Sequence, residues 1–149
     1  HTGLLYIGVE EEGIYETGAG QSDPASLVLL PGSDSLNDAI EYDIEGLSVF
    51  SHKGEKYLLA SSKGNFSYAL FSIGEVKAYL TSFIITEGNI DGVEETDGLD
   101  ITMSALPEPF TDGLLVVQDG FNVDGETSKN QNFKFVPVTG IQELLPAGK

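Results

Sequence analysis

The stretch LLVVQDGFNVDGETSKNQNFKFV, residues 114–136, runs from an apolar segment through a dense polar loop and back to an apolar one. The loop carries Asp119, Asn122, Asp124, Glu126, Asn130 and Asn132, with glycines at 120 and 125. A tight hairpin needs a single Asn-Gly or Asp-Gly pair, so this supply of oxygen donors exceeds what a turn requires. Carboxylate and amide oxygens are hard ligands, and the chemistry they suggest is coordination of calcium, which takes about six to eight oxygens. Magnesium fits less well, because it demands a tighter octahedron. The loop is not an EF-hand, since Asp119, Asn122 and Asp124 depart from that spacing and no helices flank them. Taken alone, it reads first as a turn with solvated acids.

Three further acidic clusters repeat the theme: EEE (10–12), DIEG (43–46) and DGVEETDGLD (91–100). DIEGLSVF (43–50) aligns with ETDGLDITM (95–103), pairing Glu45 with Asp97 at an offset of 52 residues. Carboxylates at equivalent strand ends of a repeat would meet in space, which favours the calcium reading. Other chemistries find little support. The only histidines are His1 and His52, so His-ligated zinc and a Ser-His-Asp triad are not expected. Neither a G-x-S-x-G elbow nor a P-loop is present. TGAG (17–20) reads as a turn, and the sequon NFS (65–67) is too short to carry an argument.

The elements that must position these groups are strands. GLLYIGVE (3–10), GIYETG (13–18) and SLVLL (26–30) read as a hairpin and a following strand. Four short strands follow, GLSVFS (46–51), KYLLASS (56–62), FSYALFS (66–72) and YLTSFIIT (79–86), separated by turn-forming stretches. GLDITMS (98–104), GLLVVQ (113–118) and FKFVPV (133–138) complete the set. Only TGIQELL (139–145) reads as helix, with Thr139 as its expected N-cap. Weak four-strand repeats at this spacing mark β-propeller blades. Residues 43–86 make one complete blade, with a truncated blade before it and an unfinished one after it. The expected class is therefore all-β, a partial propeller of about two and a half to three four-stranded blades, where closure takes at least about four.

Composition sets the outer bounds. The 149 residues suffice for a single domain, 1–149, with a proper core. Eighteen glycines without Cys or Trp fit a turn-rich β protein and exclude disulfides and thiolate metal sites. Asp and Glu number 24 against 7 Lys and Arg, a formal charge of −17. Such a surface repels nucleic acid and anionic membranes and attracts cations. No apolar run is long enough for a membrane span, and no signal-peptide pattern is visible. A chain that begins at His1 rather than Met is expected to be a processed product or a fragment.

DIEGLSVF…KGEKYLLASSKGNFSYALF, ETDGLD and GLLVVQDGFN…NQNFKFVPV together resemble the C-terminal half of the β-propeller phytases, from about residue 3 to 144. The family's acidic strand-end pattern EE-x-GI is matched by Glu10, Glu11, Gly13 and Ile14, followed by the aromatic Tyr15. The resemblance implies a six-bladed fold that removes phosphate from phytate with calcium ions in an acidic cleft, in a secreted or periplasmic setting. It implies Glu11, Glu45, Asp97 and Asp119 as catalytic calcium ligands, with Glu10, Asp100 and Asp124 as further metal ligands. Gln118, Asn132 and Lys134 are implied as loop-shaping or phosphate contacts. The family's phosphate-binding basic residues lie mostly in the other half, and Lys53, Lys56, Lys63 and Lys77 fall at turns that need not face a cleft. The expected partners are phytate or another phosphorylated small molecule, and the missing half of the propeller or a second copy.

Two rival readings stand beside the enzyme. One is a calcium-stabilised module that binds a partner or polyanion without turnover. The other is an acidic β-domain whose carboxylates are merely solvated. On the enzyme reading, Asp119→Ala is expected to lower calcium affinity and leave the metal-free fold nearly unchanged.

Overall fold

The computed structural model describes residues 3–20 and 26–147, so His1 lies outside the described residues. Its centre is a four-stranded antiparallel meander, β4 (Ile44–His52), β5 (Glu55–Ser62), β6 (Ser67–Ile73) and β7 (Lys77–Ile84), in sequential order. This is the complete blade expected from the sequence. The β4–β5 turn consists of Lys53 and Gly54, both at positive φ (50° and 84°), the combination that joins twisted strands with two residues.

On one side lies a three-stranded sheet of β1 (Leu4–Val9), β2 (Gly13–Gly18) and β3 (Val28–Leu29). On the other lie β8 (Leu99–Thr102), β9 (Leu114–Asp119) and β12 (Asn132–Pro137), with β9 in the middle. The short strands β10 (Val123–Asp124) and β11 (Thr127–Ser128) form a small separate hairpin in the 119–132 loop.

The two flanking sheets meet β4 in opposite senses. Gly46 abuts Gly98 and Leu99, and Ser48 bonds to Asp100 and Ile101, so β8 runs parallel to β4. Glu10 meets Ile44 while Leu4 and Tyr6 share a cavity wall with Val49 and Phe50, so β1 runs antiparallel to β4. In blade terms β4 and β8 are equivalent inner strands, and β1 to β3 take the second to fourth positions. The arrangement is a partial β-propeller, one four-stranded blade between two three-stranded sheets.

The core explains why β5 and β6 read as nearly continuous apolar runs. Tyr57, Leu59, Tyr68 and Leu70 pack with Leu115, Val117, Ile101 and Val93 of the third sheet and its lead-in loop. The alternate residues Leu58, Ala60, Ala69 and Phe71 pack with Ile14 and Leu30 of the first sheet region. A blade covered on both faces buries both sets of its side chains.

The helix α1 (Thr139–Leu144) docks on the same core through Ile141. Its N-cap is Val138 and not Thr139, which is already helical and exposed. Val138 is fully buried and has α conformation, so the core fixes where the helix starts and no side chain caps it. No helix among the described residues is long and apolar enough to cross a membrane.

Candidate functional site

The rim where β4 and β8 begin, and where β1 and β9 end, gathers the acidic residues. Glu45 is the second residue of β4, and Asp97 stands two residues before β8, the equivalent position one blade on. Between them sits Lys63. Its Nζ lies 2.8 Å from Asp97 Oδ1, 3.3 Å from Glu45 Oε1 and 3.9 Å from Glu95 Oε2. Three carboxylates thus face one ammonium. The hydrogen bonds to Asp97 and then Glu45 push the Lys63 pKa well above its ordinary value.

Local structure holds this lysine in place. It opens a 3-10 turn, Lys63–Asn65, whose Gly64 is pressed against the Tyr42 carbonyl with no room for a Cβ. The Lys63 N–H donates to Asp43 O at 2.8 Å. The sequence sets Lys63 at a turn that need not face a cleft, yet it is the cation at the centre of the cluster. The signal lay in the register: Ile44 pairs with Ser62, so the residue after β5 must lie beside residues 43–45.

The loop carrying Glu95 and Asp97 is laced to the end of β9. Asp97 N–H donates to Gln118 Oε1 at 2.8 Å, Gln118 N–H to Gly98 O at 2.9 Å, and Gly120 N–H to Glu94 O at 2.8 Å. The Thr96 hydroxyl donates to Gln118 O at 2.9 Å and lies 2.6 Å from the Tyr68 hydroxyl. Burial pushes the Tyr68 pKa up to about 12, so it stays a neutral phenol. Gln118 is buried with its amide nitrogen unpartnered, and its oxygen acts on the backbone of Asp97.

A second charged group lies behind the rim. Lys134 Nζ is 2.7 Å from Asp91 Oδ1 and 2.8 Å from Asp119 Oδ2, and also donates to the Asp91 and Gly92 carbonyls. Side-chain exposure is 4% for Lys134 and 1% for Asp119, so this is a buried pair. The other Asp119 oxygen accepts from Glu94 N–H at 3.1 Å. Asp119 is therefore built into the fold, and its burial argues against the expectation that Asp119→Ala would spare the metal-free fold.

The remaining sequence candidates are more scattered. Glu10 and Glu11 are exposed on the β1–β2 turn, which touches the start of β4 through Ile44 N–H and Glu10 O, 3.3 Å apart. They share the rim and do not join the Lys63 group. Asp100 accepts from the Ser48 hydroxyl at 2.6 Å, tying β8 to β4. Asp124 is exposed in the small hairpin, 3.6 Å from Lys129. Asn132 opens β12 opposite Asp119. The 119–132 loop spends polarity on itself and on its neighbour: Asn122 donates to Asn130 O within the loop, and Val123 N–H donates to Asp91 outside it.

A family model described as Phytase matches residues 1–147. The chain belongs to the phytase family. It is 38% identical over 147 residues to a curated 3-phytase of Bacillus subtilis (strain 168), an alignment covering 96% of this chain. The chain spans 37% of that relative's length.

For this phytase-family chain the donor set suits a hard cation, since the Lys63 group offers only carboxylate oxygens. Among the described residues, however, no three Asp, Glu or His side chains are placed to hold a metal ion. The point where three carboxylates converge is held by the Lys63 ammonium. Beside the rim is an open cleft of about 500 Å³, lined by Phe66, Phe121, Asp91 and Glu94 among others.

Asp91 gives a pH test. Its pKa is lowered from the ordinary 3.8, first by the hydrogen bond from Lys134 and then by that from Val123 N–H. A lowered folded pKa means that the stabilisation is complete above 3.8 and is lost as pH falls through the folded value. Unfolding free energy, measured down that acid range, should fall more steeply for the native chain than for Asp91→Asn. Equal slopes would remove Asp91 from the account.

Proposed function

We propose that this chain is the C-terminal part of a calcium-dependent phytase propeller, whose acidic rim takes part in hydrolysing phosphate monoesters of phytate. The observation that carries the reading is the convergence of Glu45, Glu95 and Asp97, from two adjacent blades, on one cationic centre. Glu45 and Asp97 are the ligands we assign first, with Glu95 added, and Glu10 and Glu11 beside them on the rim. Asp119 frames the loop from beneath.

Bound calcium would offset the repulsion between an acidic rim and a polyanionic substrate and polarise a phosphoryl oxygen. In the hydrolysis a water oxygen bonds to phosphorus while the bond to the inositol oxygen breaks. The water gives up a proton, and the departing oxygen takes one. No covalent nucleophile is needed.

The end faces support completion by the rest of a propeller or by a second copy. Phe133 and Phe135 are 67% and 60% exposed on β12, and Leu5 is 51% exposed on β1. We place the whole in a secreted or periplasmic setting. A second reading, a calcium-stabilised module without turnover, is favoured by one observation. Only seven Lys and Arg occur, and Lys63 and Lys134 are both committed to carboxylates, leaving little positive charge for phosphate.

Phosphate release from phytate, titrated with calcium against a magnesium control, separates the readings. Calcium-dependent turnover is expected on the enzyme reading. Calcium-specific stabilisation without release would select the module. No difference between the two cations would sink both.

A further inference from the structure

We propose that the cleft beside the rim docks a segment of another protein in which a basic side chain is flanked by apolar ones. The basic group lies against Phe66 and Phe121, and its apolar neighbours lie on Ile84 and Val123. The inference goes beyond the phosphatase reading and does not rest on it. The cleft, about 500 Å³, is unsuited to a phosphorylated substrate: Glu87, Asp91 and Glu94 line it, and among the described residues no lysine does. Such a lining repels phosphate and attracts cationic groups.

Two aromatic rings form its wall at positions that core packing does not explain. Phe121 sits in the polar loop after β9 and is 54% exposed. Phe66 closes the Lys63–Asn65 turn at φ 56°, a conformation that Gly or Asn adopts more cheaply. Their rings meet edge-on with centroids 6.2 Å apart, and Ile84 and Val123, both exposed, extend the apolar surface. An aromatic wall edged by carboxylates suits a guanidinium or ammonium group on its apolar stem. Asp91 adds little charge, since Lys134 is paired with it at 2.7 Å. Glu87 and Glu94 supply the attraction. Both are exposed, and their carboxylates have no ion-pair partner among the described residues.

The walls are tied together before any partner arrives, which lowers the ordering cost of docking. Val93 N–H donates to Ile85 O at 3.0 Å, and Gly92 is packed against that carbonyl with no room for a Cβ. Val123 N–H is held by Asp91 and the Glu94 carbonyl by Gly120 N–H. Charge selects the occupant. A second copy brings a further −17 and no arginine, so it is repelled. A small cation would meet the carboxylates and leave Ile84 and Val123 bare. A peptide with an apolar residue beside its basic one covers both, an anchor with a charged rim.

The test is fluorescence anisotropy of a labelled peptide of alternating arginine and leucine, titrated with the chain at fixed ionic strength. It should bind at least about tenfold tighter than the same peptide with glutamine for arginine or with serine for leucine. Phe121→Ser should weaken binding at least about tenfold, and Glu87→Gln with Glu94→Gln by a similar factor. These side chains are exposed, and unchanged urea midpoints would show that the fold is kept. Leu36→Ser, an exposed apolar residue outside the cleft, should leave binding unchanged. Equal affinity of native and Phe121→Ser chains would mean attraction to the acidic surface at large and would overturn the proposal. So would a serine peptide that binds as tightly as the leucine one. Arginine amide that competes at the peptide's own Kd would also overturn it, in favour of a small organic cation.

Discussion

Lys134→Met should lower the unfolding free energy by about 3–5 kcal/mol, the usual result of removing one partner from a buried ion pair. The replacement is close in length and takes away only the charge and its donors. It leaves Asp119, 1% exposed, with an uncompensated carboxylate, and strips the Asp91 and Gly92 carbonyls of a donor. Asp119 cannot turn to water, because its other oxygen is bonded to Glu94 N–H and its strand is paired on both sides. The measurement is urea unfolding of the native chain, Lys134→Met, Asp119→Asn and the double variant. The double variant should recover much of the loss, since neutralising both partners leaves no buried charge. A loss below about 1 kcal/mol for Lys134→Met would mean the pair is solvated, as exposed ion pairs are.

This group shows where a reading of the sequence stops. The blade at 43–86 was legible because its strands are short, separated by turn residues and bounded by repeats. The pairing of Glu45 with Asp97 was legible because the repeat offset carries it. Lys134 was not. In NFKFV the alternation sets Lys134 on one face of a strand and Phe133 and Phe135 on the other without saying which face is inward, and the structure buries Lys134 and exposes both aromatics. The buried acid that permits this, Asp119, is 15 residues away in sequence and directly involved only through the β9–β12 register. Asp91 and Glu95 were hidden for the same reason. Each lies in a cluster of acids that differ only in which neighbour the tertiary fold gives them. Thr139 failed as a cap because local preference yielded to the burial of Val138.

Phe71→Ala should cost about 3–5 kcal/mol, whereas Phe135→Ala should cost less than about 1 kcal/mol. Phe71 is fully buried between the first sheet and the central blade, edge-on to Tyr79 at 5.7 Å, so truncation leaves a cavity that two rigid sheets cannot close. Phe135 is 60% exposed, and its ring contact is with Phe110 at 6.3 Å. Urea unfolding of the two variants measures the contrast, and comparable losses would mean that the outer face of β12 is covered. Protein concentration then distinguishes how. A second copy seated on that face would make the loss for Phe135→Ala grow with concentration, because association contributes to stability by mass action. A face that stays open in the isolated chain gives a small loss at every concentration. The same aromatic pair, Phe133 and Phe135, would then be the surface left for the proposed remainder of the propeller to bury.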